Sequence, residues 1–257
     1  MVMAPRHPSK REGGSHRIGA YRPPSAPRQP ERVRIFLPSP RRPVDRPFSP
    51  STPEIVAISP HADDAEYGAG CLLAAHAALG CRVTIVLMTG ANETRVIEAK
   101  AAAAALGADL ILDPSGSDGC LEITSDRISW LETQLAAASL VLAPHPDDTH
   151  QDHRATAGIT ATALRRSATA LSWYRTPSSG PGFSPTAFFP ILDEAAAVRG
   201  RAIDQHQTQA GRAYLRPEHL ALKDSWFGWL GGHRAAEPFQ VVRHQFGQLP
   251  RLANTDK

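Results

Sequence analysis

Short apolar runs rich in β-branched residues alternate with alanine-rich stretches from residue 53 onward. The runs predict strands of four to seven residues, and the stretches between them have the length and composition of helices. Strands that alternate with helices form parallel sheets covered on both faces. We therefore expect an α/β protein with a three-layer, Rossmann-like arrangement. The predicted strands are 54–59, 82–88, 109–112, 139–143 and 170–175, and the predicted helices are 67–79, 93–106, 124–137, 151–166, 192–208 and 217–228.

The first 50 residues differ from the rest in charge and proline content. They hold eleven of the 23 prolines and a net charge of +8, from ten Arg and one Lys against three acidic residues. Such a segment cannot bury enough apolar surface to offset its ordering entropy. We predict a mostly disordered basic extension over 1–50, one folded domain over 51–246 and a short tail over 247–257. The extension lacks interleaved aromatic residues, so we expect no nucleic-acid partner.

Neither a membrane span nor a secretion signal is predicted for this sequence. No apolar run approaches the roughly 20 residues needed to cross a bilayer, and the first residues lack the apolar segment of a signal peptide. The expected location is the cytoplasm, without a membrane partner. Cys71, Cys81 and Cys120 have no metal-type spacing, so we interpret them as reduced structural thiols.

Clusters of histidine and aspartate directly follow two of the predicted strands. "SPHADDAEYGAG" spans 59–70 behind one strand, and "PHPDDTHQDH" spans 144–153 behind another. Parallel strands bring their carboxyl ends to one edge of the sheet, where ligands bind, so two distant clusters can converge on one ion. Imidazole and carboxylate groups together are a usual ligand set for zinc. The sequence therefore predicts a metal site at this edge.

Two alternative interpretations of the first cluster involve no metal. Asp63 or Asp64 would also suit the N-terminus of the following helix, where a carboxylate satisfies free N–H groups. Gly68 and Gly70 resemble part of a dinucleotide-binding turn, but the full G-x-G-x-x-G spacing is missing. Without a metal, two adjacent carboxylates would repel a diphosphate. The second His/Asp cluster favours the metal site over both alternatives.

These motifs resemble the PIG-L or LmbE-like zinc-dependent de-N-acetylases. Members of that family share A-H-P-D-D-E near the start and H-x-D-H later, and the present sequence has "PHADDAE" and "HQDH" in the same order. The elements "TRVIEAKAAAAALGAD", "SDGCL", "RAIDQHQTQ" and "AEPFQV" resemble further family landmarks, and the resemblance runs from about residue 54 to 242. It implies an LmbE-like fold with the active site at the carboxyl ends of the strands. It also implies amide hydrolysis that releases acetate and a free amine.

The resemblance also implies a role for each motif residue. The residues that would bind one zinc ion per chain are His61, Asp64 and His153. Another divalent metal in place of zinc is compatible with the same ligands. Asp63 would be the general base that takes a proton from the attacking water.

The second motif would supply two more catalytic groups. His150 would stabilise the oxyanion as a cationic imidazole and help to protonate the leaving amine, while Asp152 would hold the ring of His150 in orientation. For His145 and Asp148 the sequence leaves two roles open. They either support the metal ligands or form part of a turn.

Three further residues match family positions that contact substrate: Arg95, Asp118 and His206. Arg95 and Glu98 also have the spacing of a surface pair on one helix, and His206 also suits a buried polar network. The sequence departs from the family pattern at several points, since Ala62 replaces a proline, Thr208 replaces a serine and the loop before Arg95 is short.

The expected substrate is a small, soluble, N-acetylated molecule such as an amino sugar or a specialised-metabolite intermediate. The loops 90–94, 113–119 and 176–190 hold few aromatic or basic groups that would indicate a lipid or a nucleotide. Two other classes stay in view, a metal-binding protein without turnover and a nicotinamide-dependent oxidoreductase. The presence of Asp63 and His150 favours an enzyme over the first, and the incomplete glycine pattern disfavours the second.

Overall fold

A computed structural model describes residues 53–90 and 93–244 of the chain. The predicted extension over 1–50 and the tail over 247–257 lie outside the described residues. The strands are β1 (Glu54–Ser59), β2 (Arg82–Leu87), β3 (Asp109–Leu112), β4 (Leu140–Pro144), β5 (Ala170–Tyr174), β6 (Ala187–Pro190) and β7 (Ala236–Arg243). The helices are α1 (Asp64–Ala78), α2 (Glu93–Leu106), α3 (Ser125–Gln134), α4 (Gln151–Ala163), α5 (Asp193–Ile203) and α6 (Pro217–Gly231).

The described strands form one sheet in the order β3-β2-β1-β4-β5-β7-β6. The first five strands in that order are parallel, which confirms the predicted α/β class, and β7 is antiparallel to both β5 and β6. The strand order reverses between β1 and β4, because β2 lies on one side of β1 and β4 on the other. Ligands of open parallel sheets bind at such a reversal, beyond the carboxyl ends of the strands.

Alternating residues of β1 pack into two separate apolar layers. Val56 and Ile58 lie in a cluster that includes buried residues of α3 and α4. Ile55 and Ala57 face the other side and pack with residues of α1, α2 and α5. Both faces of β1 are thus covered, which confirms the three-layer arrangement.

The predicted helix over 192–208 ends at Ile203 in the structure. The chain then forms short 3₁₀ turns at Gln207–Gln209 and Ala213–Leu215 before α6 begins. This change of path places His206 at a buried position against Glu66 of α1. The continuous helix in the prediction was therefore wrong beyond Ile203.

Candidate active site

The His/Asp clusters behind β1 and β4 meet at the edge where the strand order reverses. The side chains of His61, Asp64 and His153 converge there, and all three are buried. His61 Nδ1 lies 3.2 Å from Asp64 Oδ2, His153 Nε2 lies 3.2 Å from the same oxygen, and the two ring nitrogens are 3.2 Å apart. These three atoms form an equilateral triangle, which we call the ligand triangle.

The ligand triangle has the dimensions expected of a tetrahedral metal site. Tetrahedral zinc with metal–ligand distances of about 2.0–2.1 Å separates its ligand atoms by about 3.3 Å. Burial alone would raise the pKa of Asp64, but His153 and His61 outweigh burial and lower it below its ordinary range. Burial alone would lower the pKa of His153, but Asp64 and Asp148 raise it to about 10. Carboxylates that favour a proton on His153 this strongly also attract a metal cation. The three residues therefore fit a divalent metal ion such as zinc.

A carboxylate supports each histidine of the triangle from the far side of its ring. Asp152 Oδ2 lies 3.0 Å from His61 Nε2, and Asp148 Oδ2 lies 3.1 Å from His153 Nδ1. Such contacts fix the orientation of metal-binding imidazoles and increase their basicity. Asp148 matches both interpretations that the sequence left open, because it contacts a triangle histidine and also accepts a hydrogen bond from the backbone N–H of His150 within the turn. His145 instead accepts a hydrogen bond from the backbone N–H of Asp147 and belongs to the turn.

Neighbouring loops hold both supporting carboxylates. Asp152 accepts hydrogen bonds from the backbone N–H groups of Gly119, at 2.7 Å, and Leu121, at 3.1 Å. Asp148 accepts hydrogen bonds from the hydroxyl groups of Thr176 and Ser178. The loops after β3 and β5 are therefore connected to the triangle through its supporting carboxylates.

Asp152 contacts the ring of His150, as predicted, but through its backbone and not through its carboxylate. The carboxylate of Asp152 faces His61, and only the backbone N–H of Asp152 donates to His150 Nδ1, at 3.2 Å. The two residues are close in sequence, but Asp152 lies in the first turn of α4 with its side chain turned inward, whereas His150 precedes the helix as its N-cap.

His150 lies against both histidines of the triangle. Its ring stacks on that of His153 with centroids 4.8 Å apart and meets the ring of His61 edge-on at 4.6 Å. Burial, followed by the positive charges of protonated His61 and His153, lowers the pKa of His150. A neutral ring whose Nδ1 accepts a hydrogen bond carries its proton on Nε2. This arrangement favours a neutral donor at His150, in contrast to the cationic imidazole expected from the sequence.

Asp63 adjoins the triangle without being one of its corners. Its backbone has a φ of 114°, a left-handed conformation that is costly for a residue other than glycine, and its side chain makes no capping hydrogen bond to α1. Asp63 therefore occupies the N-cap position of α1, but its carboxylate does not cap the helix. Burial, followed by the charge of Asp64, raises the pKa of Asp63 to about 7. Backbone strain and a raised pKa at a buried carboxyl are typical of functional positions.

Two of the three predicted substrate residues lie beside the triangle. Arg95 Nη1 is 3.2 Å from Asp118 Oδ2, and the other oxygen of Asp118 is 3.2 Å from His61 Nε2. The Asp118 side chain is 38% exposed, so it is accessible to a ligand. His206 is buried and lies 3.3 Å from Glu66. This position matches the alternative interpretation of His206 as part of a buried polar network.

Asp118 also belongs to a second group able to hold a metal ion. His61, Asp118 and Asp152 place potential ligand atoms within 4.8 Å of one another, as do His61, His150 and His153. The first of these groups uses His61 Nε2, on the opposite side of the ring from the triangle. The ligand triangle and the group of His61, Asp118 and Asp152 therefore compete for His61. A metal in the triangle would bind His61 Nδ1, and a metal in the second group would bind His61 Nε2.

The structure adds Tyr214, which the sequence did not indicate. The hydroxyl of Tyr214 donates a hydrogen bond to Asp63 Oδ2 at 2.9 Å. Instead of the surface pair considered for Arg95 and Glu98, Arg95 contacts Asp118, and Glu98 accepts hydrogen bonds from the backbone N–H and the hydroxyl of Thr208. Threonine at this position thus supplies the hydroxyl that the family serine has.

Comparison with known proteins identifies the class to which this fold and site belong. The family described as "PIG-L: GlcNAc-PI de-N-acetylase" matches residues 56–164, a range that includes both His/Asp clusters. The chain is 30% identical over 168 residues to the Escherichia coli (strain K12) protein named "Uncharacterized deacetylase YaiS". That alignment covers 60% of this chain and 90% of YaiS. The chain therefore belongs to the PIG-L family of deacetylases.

Solved structures share the fold at low sequence identity. N,N'-diacetylchitobiose deacetylase from Pyrococcus horikoshii superposes with a TM-score of 0.64 at 20% identity, covering 75% of this chain and 84% of that one. GalB, a 4-carboxy-2-hydroxymuconate hydratase from Pseudomonas putida KT2440, superposes with a TM-score of 0.63 at 19% identity. This match covers 77% of the present chain and 100% of the GalB chain. Because a deacetylase and a hydratase share the fold, the fold alone does not specify the reaction.

No helix within residues 53–90 and 93–244 is long and apolar enough to span a membrane.

Proposed function

We propose that this chain is a zinc-dependent N-deacetylase that acts on a small, soluble, amino-sugar-like substrate. The observation that carries the proposal is the ligand triangle of His61, Asp64 and His153, with ligand atoms 3.2 Å apart, next to the buried carboxyl of Asp63. A triangle of protein ligands leaves the fourth position of a tetrahedral ion open to water or substrate. Catalytic zinc sites have this arrangement, whereas structural zinc sites use four protein ligands.

The proposed reaction breaks the amide C–N bond with one water molecule. Zinc bound by His61, Asp64 and His153 would act as a Lewis acid that polarises the water and the amide carbonyl. Asp63 accepts the proton as the water oxygen bonds to the carbonyl carbon. The proton then moves from Asp63 to the amine nitrogen as the C–N bond breaks, so a free amine and acetic acid leave and Asp63 returns to its starting state. The acetic acid, which retains the second proton of the water, loses it to the solvent and becomes acetate.

His150 supports the oxygen that becomes negative during the attack. Its Nδ1 accepts from the backbone N–H of Asp152, so a proton on Nε2 can be donated to the substrate. A preorganised donor of this kind lowers the barrier because it is already aligned when charge develops. This role requires no positive charge on the imidazole before the substrate binds.

A metal-binding protein without turnover would not require the environment of Asp63. Its left-handed backbone carries a conformational cost, and its raised pKa disfavours the charged form. Neither feature strengthens metal binding by His61, Asp64 and His153. The geometry of Asp63 therefore favours an enzyme over a passive metal site.

The rim of the site supports a polar, hydroxylated substrate. Arg95 and Asp118 present hydrogen-bonding groups beside His61. The loop that holds Asp118 is fixed through the backbone of Gly119, and the loop after β5 is fixed through Ser178. Short, anchored loops with polar side chains suit a sugar better than a lipid chain, and we propose a soluble partner instead of a membrane or nucleic acid.

The proposal is tested by incubating zinc-loaded protein with a panel of N-acetylated amino-sugar glycosides and antibiotic precursors. Released acetate and free amine are measured in equal amounts, with Asp63→Asn as the control that keeps the ligand triangle. Equimolar release by the wild type and strongly reduced release by the variant support the proposal. A folded, zinc-loaded wild type that releases neither product from any compound contradicts it and directs the search to non-sugar amides or to hydration chemistry.

A further inference from the structure

Tyr214 and Asp63 are separated by 151 residues in the sequence but joined by a hydrogen bond of 2.9 Å. Tyr214 lies in the 3₁₀ turn Ala213–Leu215, outside both His/Asp clusters. We propose that Tyr214 is a positioning residue that holds the carboxylate of Asp63 in the orientation of a base and away from the metal. This inference rests on the proposed function, because it concerns how the base of that reaction is kept in place.

Asp63 needs such a restraint because of its position beside the triangle. It directly precedes Asp64, and its side chain makes no hydrogen bond to the N-terminus of α1. A divalent cation in the triangle would attract any neighbouring carboxylate, and an unrestrained Asp63 could rotate towards it as a fourth ligand. The hydroxyl of Tyr214 engages Oδ2 and leaves the second oxygen of the same carboxyl to accept the proton from water.

The segment that carries Tyr214 is itself well packed. Leu215 is buried in a small apolar cluster with Tyr67, Ile203 and Leu220. The ring of Tyr214 meets that of Tyr67 edge-on, with centroids 5.7 Å apart and an interplanar angle of 89°. A hydroxyl held by a packed ring loses little conformational freedom when it donates, so it can act as a fixed restraint.

The phenol of Tyr214 also keeps the proton that it donates. Burial, followed by the charge of Asp63, raises the pKa of Tyr214 above its ordinary value. The hydroxyl therefore stays a donor across the range in which an amidohydrolase works. Phenylalanine keeps the ring and its contact with Tyr67 but removes the donor, so this substitution isolates the hydrogen bond.

The first test compares Tyr214→Phe with Tyr67→Phe, which removes the hydroxyl of the neighbouring ring and keeps the backbone N–H of Tyr67 that donates to the carbonyl oxygen of Asp63. A hydrogen bond to a charged group is worth about 10- to 100-fold in an equilibrium. We expect Tyr214→Phe to lower kcat by about that factor while KM, zinc content and melting temperature stay near those of Tyr67→Phe. Equal kcat values in the two variants overturn the proposal, and so does loss of zinc or folding in Tyr214→Phe alone, which indicates a structural role.

The second test combines Tyr214→Phe with Asp63→Asn. If Tyr214 acts through Asp63, its removal should cause no further loss of the residual kcat once the carboxylate is absent. A loss as large as in the wild-type background shows that Tyr214 acts independently and overturns the proposal. Both tests use a substrate that the wild type deacetylates, so an inactive wild type contradicts the proposed function, whereas an active wild type with an equally active Tyr214→Phe contradicts only the role of Tyr214.

Discussion

Asp148 faces Nδ1 of His153 at 3.1 Å, on the side of the ring opposite the Nε2 that lies 3.2 Å from Asp64. This contact fixes which nitrogen of His153 is available to a metal. It also links the proposed metal site to the loop after β5, because Ser178 donates a hydrogen bond to the same Asp148 carboxylate. The orientation of His153, a proposed ligand, is thus set by residues that are not themselves proposed ligands.

Replacing Asp148 by asparagine should weaken metal binding although no ligand is changed. The neutral amide removes the charge that orients His153 and increases its basicity, so we expect zinc affinity to fall about 10- to 100-fold. The measurement is a competition titration with a zinc chelator. Asp147→Asn is the matched control, because the side chain of Asp147 accepts a hydrogen bond from the backbone of Gly182 and not from a triangle histidine. Equal affinities in the two variants would show that Asp148 does not support the metal.

Replacing Asp63 by asparagine should separate metal binding from turnover. The amide cannot accept a proton from water, so kcat should fall by about 10²–10⁴. Zinc content should stay at one equivalent, because the three atoms of the ligand triangle are unchanged. Metal analysis and acetate release on the same sample test both expectations. Loss of zinc in this variant would indicate that Asp63 is a ligand.

The activity should fall as the pH is lowered through the titration of Asp63. Burial and the charge of Asp64 raise its pKa from 3.8 to about 7, and only the ionised carboxylate can act as a base. The positive charge of a metal ion in the triangle would offset the part of this pKa increase that is due to Asp64. We therefore expect kcat to reach half of its maximum, on the acidic limb, at a pH between 3.8 and about 7. A pH–rate profile of the zinc-loaded enzyme measures it. A kcat that stays constant from pH 4 to 7 would be inconsistent with Asp63 as the base.

Replacing His150 by alanine should slow the reaction without removing the metal. Loss of a preorganised donor to the developing oxyanion lowers kcat by on the order of 10²–10³. Zinc should remain bound, because the three atoms of the ligand triangle are unchanged; loss of zinc would indicate that the metal is instead held by the group of His61, His150 and His153. Steady-state kinetics with zinc analysis checks this expectation. Wild-type kcat in the variant would remove His150 from the mechanism.

The sequence predicted the parallel part of the sheet and the convergence of the two clusters. Five strands and their helices follow from local composition, because buried parallel strands are short continuous apolar runs. The antiparallel strand β6 was not predicted, since Ala187–Pro190 is short and ends in proline. The helix that was expected to reach residue 208 ends at Ile203, because the burial of His206 against Glu66 is a tertiary contact that local propensity does not encode.

The details of the site depended on contacts between distant residues. His61, Asp64 and His153 came from motifs, whose spacing is visible in the sequence. Tyr214 has no motif and reaches Asp63 only through the folded chain. Asp152 was assigned to His150, its neighbour in sequence, but its carboxylate turns to His61, 91 residues away. Side-chain direction at the start of a helix decides between two such partners, and sequence spacing alone does not.

The central claim is that His61 Nδ1, Asp64 Oδ2 and His153 Nε2 hold the catalytic metal. The most direct measurement is anomalous X-ray diffraction from zinc-soaked crystals at the zinc absorption edge. The account predicts one strong peak about 2.0–2.2 Å from each of these three atoms. A single peak bound instead by His61 Nε2 with Asp118 and Asp152, or no peak at the triangle in crystals of active enzyme, would contradict it.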